Sequence, residues 1–310
     1  GGKKMRYFIG VDLGGTNVRS LLVDEKGTII AEVKDVTESE KGPDYVTQKI
    51  IKQIESIDYS GIGGFEHVDG IGIGVPGPVD TVNKYMVMAT NLHDFAKYPI
   101  CDKLEAYFSK PTFIDNDANV AGLAEAIVGA GRLKATVFYI TISTGIGGAF
   151  IVDGKLVSGN RGHAGEIGNI IVKSNGEKIN HLNAGAVENE ASGTAIVRKA
   201  RKIFGEEAIK HAGNVFELAA SGNKDAIAIK EDFLDCITTM MANIAHTVDP
   251  HCFVIGGGVM KSKDYFIDEL NEMFNSKIHE GMRGYTPIYS VEIDDCGAIG
   301  AAMLPMSQLQ

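Results

Sequence analysis

The sequence predicts a duplicated α/β fold of two related lobes, and three observations carry that prediction. Residues 7–33, YFIGVDLGGTNVRSLLVDEKGTIIAEV, read as three antiparallel strands joined by a tight Gly14–Gly15 turn and a polar turn, DEKG. Residues 136–159, TVFYITISTGIGGAFIVDGKLVSG, repeat that design about 130 residues later. Both first turns are rich in Gly and Thr at the same place in the hairpin, which plain hairpins need not share. A length of 310 residues fits roughly two ordinary domains.

The remaining elements follow in order. Residues 43–57 read as a helix: Pro43 starts it, and Val46, Ile50, Ile51, Ile54 and Ile57 form its apolar stripe. Between the two hairpins lie VDGIGIGVPGPVD (68–80), ATNLHDF (89–95) and KPTFIDNDANVAGLAEA (110–126). Helical stretches are predicted at 191–204, at 215–221 and from about 225 to 248. Residues 251–274 read as strand, glycine turn and helix, and DDCGAIGAAML near the end as a short helix that packs back on the first lobe. The predicted boundaries are 5–117 for the first lobe, 118–296 for the second and 297–310 for the terminal helix. Residues 1–4, GGKK, are read as partly an expression remnant before Met5 and set aside.

Bulk properties narrow the function. Hydrophobic residues make up 44% and charged residues 23%, an ordinary globular composition. A net charge of −10 argues against a general nucleic-acid or anionic-membrane surface. No apolar run approaches the roughly 20 residues of a membrane span. The start carries no secretory h-region or cleavage site. Cys101, Cys236, Cys252 and Cys296 are widely spaced without a C-x-x-C pair, so reduced thiols and a cytoplasmic location are expected.

Three glycine clusters carry the chemical signal: DLGGTN (12–17), STGIGG (143–148) and GGG (256–258). Glycines after a strand let backbone N–H groups wrap phosphate oxygens. Gly14, Gly15, Thr16, Asn17, Thr144, Gly145, Gly256, Gly257 and Gly258 are therefore candidate nucleotide-binding residues. Asp12 is placed to hold Mg²⁺ or its waters, because Mg²⁺ takes carboxylates and keeps several waters. GIGVPG (72–77) formally matches G-x-G-x-x-G, but Pro78 follows where a helix should open, so the dinucleotide context is missing. No G-x-x-x-x-G-K-[ST] is present, which excludes a P-loop.

The polar segments are more ambiguous. Asp115 and Asp117 follow an apolar run and precede an alanine-rich helix, a pattern compatible with a solvated turn, a helix cap or an active-site base. In SGNRGHAGEIGNIIV (158–172), Glu166 and Asn169 are spaced to face one ligand, with His163 beside them. Glu188 and Glu190 precede a helix, where carboxylates complement the dipole.

The motifs DLGGTN, GVPGPVD, NDAN, STGIGGA, GHAGEIGN, ENEASGTAI and VIGGGV occur in the order and approximate spacing of the ROK family of bacterial sugar kinases and related repressors. The resemblance covers about residues 6–304. It implies the actin/hexokinase-type fold, with a sugar and nucleotide cleft between two lobes. It implies an ATP- and Mg²⁺-dependent hexose kinase with Asp117 as general base and the sixth hydroxyl as the usual acceptor. Sugar contacts are implied for Gly77, Asn91, Asn116, Asp117, Glu166 and Glu188, and at the positions of His163 and Asn169. Glucose is the first expected substrate, and N-acetylmannosamine or a β-glucoside the alternative. An inactive sugar-binding protein is the alternative of another class. A regulator of this family carries a helix-turn-helix ahead of the core, and a first strand at Tyr7 leaves no room for one. A homodimer or homotetramer is implied by resemblance.

The chain departs from the family at one place. Most members carry C-x-C-G-x-x-G-C-x-E before the glutamate matching Glu188, whereas residues 179–188 here are INHLNAGAVE. Ile179, His181 and Ala186 replace the three cysteines, and Asn169 replaces a ligating histidine. A structural zinc needs four N or S ligands, so no zinc site is expected.

Overall fold

A computed structural model of the chain describes residues 4–89 and 91–309. Residues 1–3, Thr90 and Gln310, the last of which ends the expected terminal helix, lie outside the described residues. Packing divides the chain into two compact units. The first takes the described residues within Gly1–Ala135, Ala149–Ala164 and Glu292–Gln310; the second takes Thr136–Gly148 and Gly165–Val291.

The first unit opens with the expected antiparallel hairpins, β1 (Tyr7–Leu13), β2 (Asn17–Asp24) and β3 (Ile29–Val36). α1 (Pro43–Ser56) follows, with Pro43 in its first turn. Val46, Ile50 and Ile54 are fully buried, each contributing on the order of 2 kcal/mol of apolar transfer. Next come β4 (Val68–Val75), the two-residue strands β5 (Val79–Asp80) and β6 (Tyr85–Met86), and α2 (Ile100–Phe108). β7 (Thr112–Asn116) runs directly into α3 (Asp117–Ile127). The sheet order is β3-β2-β1-β4-β7, with β1, β4 and β7 parallel. β1 and β4 are buried along nearly their whole length, while edge strand β3 alternates between half-buried and exposed residues.

The second unit opens with β8 (Thr136–Ile142), which turns into β9 (Ile146–Val152) and β10 (Lys155–Leu156). The third strand of this hairpin is only two residues long. Asp153 and Gly154 take positive φ before it, and the glycine turns at Gly159 and Gly162 follow. Helices α4 (Val187–Ala191), α5 (Gly193–Phe204), α6 (Ala212–Ala220) and α7 (Lys224–Val248) come next. Ser192 separates α4 from α5 because its hydroxyl caps α5, accepting the Ala195 N–H at 3.1 Å. β11 (Cys252–Gly256), α8 (Ile267–Lys277) and β12 (Ile288–Ser290) complete it. The helix expected straight after the glycine turn starts only at Ile267, and Gly258–Tyr265 forms 3-10 turns instead. The run KSKD supplies no apolar stripe; helical spacing resumes with buried Phe266, Leu270 and Phe274. The second sheet has the order β10-β9-β8-β11-β12, the counterpart of the first.

The chain ends in α9 (Cys296–Gln308), which lies on β1, β4 and α3 within the first unit. Its closeness explains several glycines. A Cβ on Gly72 would sit 1.8 Å from the Ala301 carbonyl oxygen, and one on Gly300 1.7 Å from that of Val120. Backbone touches backbone here, and no larger residue fits. Among the described residues, no helix is long and apolar enough to cross a membrane.

Candidate active site

In the first unit, β7 delivers its last residues to the N-terminus of α3. Asn116 caps that helix, its Oδ1 accepting the Asn119 N–H at 2.8 Å. The two aspartates of IDND then diverge. Asp115 is buried, and its carboxylate accepts the Asn119 side-chain amide at 2.7 Å and the Asn116 N–H at 2.8 Å. Burial raises its pKa to about 6 against the pull of those two donors. Asp117, the first helical residue, is reached by solvent, and its Oδ1 accepts the Ala118 N–H at 2.8 Å. Surrounding protein still desolvates it enough to raise its pKa, while the backbone amides of Ala118 and Asp117 itself oppose the rise.

Asp12 completes an acidic group with Asp117. It stands opposite Arg19 in the β1–β2 register. Its pKa is raised by burial first; Arg19 lowers it, and the charges of Asp117 and Asp295 raise it again. Arg19 is held by Asp295 at 2.9 Å and Glu32 at 2.7 Å. These pairings raise the Arg19 pKa and lower that of Asp295. Asp12 is a single carboxylate beside a phosphate-type loop. That suits a Mg²⁺ whose other ligands are water and phosphate oxygens.

The first glycine loop is braced from beneath. The Gly14 N–H donates to the Asn17 carbonyl at 2.9 Å, and the Thr37 hydroxyl to the Gly14 carbonyl at 2.6 Å. Thr16 and Asn17 stay exposed. A Cβ on Gly15 would lie 2.5 Å from the Asn91 carbonyl oxygen, so this loop touches Asn91 directly. Gly77 has φ 97° and faces the Met88 carbonyl. A Cβ on Gly162 would lie 2.9 Å from the Val79 carbonyl, which places the segment leading to exposed His163 on the loop after Gly77.

In the second unit, Glu188 joins two predicted segments. Its Oε2 accepts the Ile146 N–H at 2.8 Å. Added Cβ atoms on Gly145 and Gly168 would sit 2.5 and 3.2 Å from that oxygen. Asn169 Oδ1 accepts the Asn183 N–H at 2.7 Å, while Glu166 and His181 are exposed. Zinc does not fit here. Ile179 and Ala186 offer no donor, Ala186 is fully buried, and the Asn169 oxygen is taken by backbone. Among the described residues, no group of three or more His, Cys, Asp or Glu is placed to hold a metal.

A cleft of about 710 Å³ lies wholly within this unit. Thr144 and Gly258 line it, with Thr194, Val197, His211 and Lys261. The Gly193 N–H donates to the Ser143 carbonyl at 2.7 Å, which fixes the start of α5 against the second glycine turn. Of the three glycines at 256–258, Gly258 faces open space, whereas a Cβ on Gly257 would meet the Ile142 carbonyl at 2.3 Å. Sequence reasoning missed the far wall of this cleft. Thr194 lies in the recognised SGT run, but the segment holding His211 has no motif that announces a ligand.

Two sheets of matching strand order, each with a glycine turn after its first strand, define an actin/hexokinase-type duplicated α/β fold. The chain belongs to the ROK family, whose model matches residues 8–308. It is 31% identical to a glucokinase of Thermotoga maritima over 310 residues, 96% of each chain. It is 32% identical to an N-acetylmannosamine kinase of Vibrio cholerae over 306 residues, 95% of this chain and 97% of that one. A ROK family glucokinase from Streptomyces griseus, solved with glucose and AMPPNP, superposes with a TM-score of 0.72 at 29% identity, over 96% of this chain and 98% of that one.

Proposed function

We propose that this protein is an ATP-dependent hexose kinase that transfers the γ-phosphate of ATP to the sixth hydroxyl of a hexose, glucose first. The observation that carries the reading is Asp117, a solvent-reached carboxylate at a helix N-terminus whose proton affinity is raised by its surroundings. In this reading an Asp117 oxygen takes the hydroxyl proton, and the sugar oxygen bonds to the γ-phosphorus. The bond to the β-phosphate oxygen breaks and ADP leaves. Mg²⁺, when held through Asp12 and its waters, supplies charge neutralisation on the phosphates. Gly77, Asn91, Asn116, His163, Glu166, Asn169 and Glu188 hold the sugar hydroxyls. The loops at Gly14–Asn17, Thr144–Gly145 and Gly256–Gly258 hold the nucleotide, and the 710 Å³ cleft takes its base and ribose. N-acetylmannosamine is the second candidate sugar, supported by the relative at 32% identity. Four free cysteines, three of them buried, suit a cytoplasmic setting. Assembly as a homodimer or homotetramer belongs to the same reading.

The test is coupled ADP release over a panel of hexoses and amino-sugars, with Asp117→Asn as control. The variant is expected to lose on the order of 10²–10⁴ in kcat. A panel in which no sugar stimulates ADP release, or a fully active variant, overturns the assignment.

A further inference from the structure

Residues 173–186 form no helix or strand, yet they are held at every turn. The loop closes backbone on backbone: a Cβ on Gly185 would lie 1.8 Å from the Lys173 carbonyl oxygen, and one on Gly176 2.3 Å from the Gly185 Cα. The Glu177 N–H donates to Glu190 Oε1 at 2.7 Å, and the Gly185 N–H to the Glu177 carbonyl at 3.0 Å. The Asn189 side-chain amide reaches the carbonyls of Glu177 and Asn183.

Charged side chains from α4, α5 and α7 converge on the same loop. The Glu177 carboxylate pairs with Arg198 and with Lys202 at 3.1 Å. Glu190, 3% exposed, pairs with Lys199 at 3.0 Å and Lys173 at 3.5 Å. Asp232 takes Lys173 and, at 2.8 Å, Lys199. Arg198 also donates to the Asn189 carbonyl at 2.6 Å, and Lys199 to the Glu190 carbonyl at 2.8 Å. Burial alone would raise the Glu190 carboxyl, but Lys199, the Glu177 amide and Lys173 hold it below the ordinary Glu value. Glu190 is buried and the other members are partly exposed, and a network of charges sharing partners in this way is worth more than isolated surface pairs.

The loop leads directly to candidate sugar contacts. Asn183 donates to Asn169, the Val187 N–H donates to the Ile170 carbonyl at 2.8 Å, and Glu188 shares its short helix with Glu190. We propose that this ionic clamp, centred on Glu177 and Glu190, replaces a metal in fixing the loop, and that Glu177 is a positioning residue for Asn169 and Glu188. The positioning role rests on the sugar-kinase reading; the clamp itself does not.

Glu177→Gln tests both, because it removes the ion pairs with Arg198 and Lys202 while leaving the backbone bond to Glu190. The expected result is a rise of about tenfold in the sugar KM with the ATP KM unchanged. Amides of 170–189 should exchange about tenfold faster, while those of β1 and β4 stay as in the parent. Glu177→Asp should recover part of both effects. Should Glu177→Gln not fold, Lys202→Met cuts the clamp at its exposed end and should give smaller shifts of the same sign. Unchanged exchange refutes the clamp, and faster exchange with a parental sugar KM refutes positioning. If the parent phosphorylates no sugar, the kinase reading and the positioning role fall together, and exchange alone decides the clamp. One equivalent of zinc per chain, with loop protection lost to 1,10-phenanthroline, overturns the metal-free account.

Discussion

Replacing Asp115 with asparagine isolates the cost of a buried charge. The side chain is 4% exposed, and its pKa rises from 3.8 to about 6 because burial disfavours the ionised form. Folded chains therefore bind this proton more tightly than unfolded ones. Stability attributable to Asp115 falls as pH rises from about 3.8 to about 6, and the full penalty persists above that window. At 1.36 kcal/mol per pH unit, the penalty is ~3 kcal/mol. Asparagine keeps an acceptor for the Asn119 and Asn116 donors and brings an amide with no acceptor of its own. That adds a roughly constant cost of about 1 kcal/mol at every pH. Urea unfolding of parent and variant at pH 4.5 and pH 8 separates the two effects. About 1 kcal/mol of the penalty is already present at pH 4.5, so the variant should improve relative to the parent by about 2 kcal/mol between the two conditions. Kinase activity should change little, since Asp117 is retained. A stability gap that is identical at both pH values would refute the reasoning.

Two further perturbations probe packing and the cleft. Gly300→Ala should cost about 3 kcal/mol in thermal or urea unfolding, because its Cβ would overlap the Val120 carbonyl. Gly297→Ala on the same helix meets nothing within 4 Å and should stay within about 1 kcal/mol of the parent. Val197→Arg should fill the cleft beside Thr194 and raise the ATP KM at least about tenfold while the sugar KM holds. Equal rises in both would place the nucleotide elsewhere.

Much of the fold is legible in the chain because the signals are local. The 7–33 hairpins and the helix from Pro43 follow from apolar periodicity and turn residues alone. The strand-to-helix junction at Asn116–Asp117 follows from IDND before an alanine-rich run. What escaped depends on distant partners. The cleft wall at His211 acquires meaning only when α5 and α6 come together. Glu177 reads as an ordinary loop acid until Arg198 and Lys202 approach from α5. Resemblance supplied the role of Asp117 and left Asp115 a structural or capping one, which its burial and its bonds to Asn116 and Asn119 support.

The return of the chain to its first unit has a consequence for how the molecule is made. Glu125, fully buried on α3, accepts the N–H groups of Glu292 and Ile293, and α9 then covers the glycines of β1 and β4. The first unit reaches residue 135 early in synthesis but lacks this cover until 292–309 emerges. At about 5–20 residues per second, the wait is on the order of 10–30 s. Until α9 arrives, the glycine faces of β1 and β4 lack the cover it gives them, which leaves that surface open to chaperones and proteases.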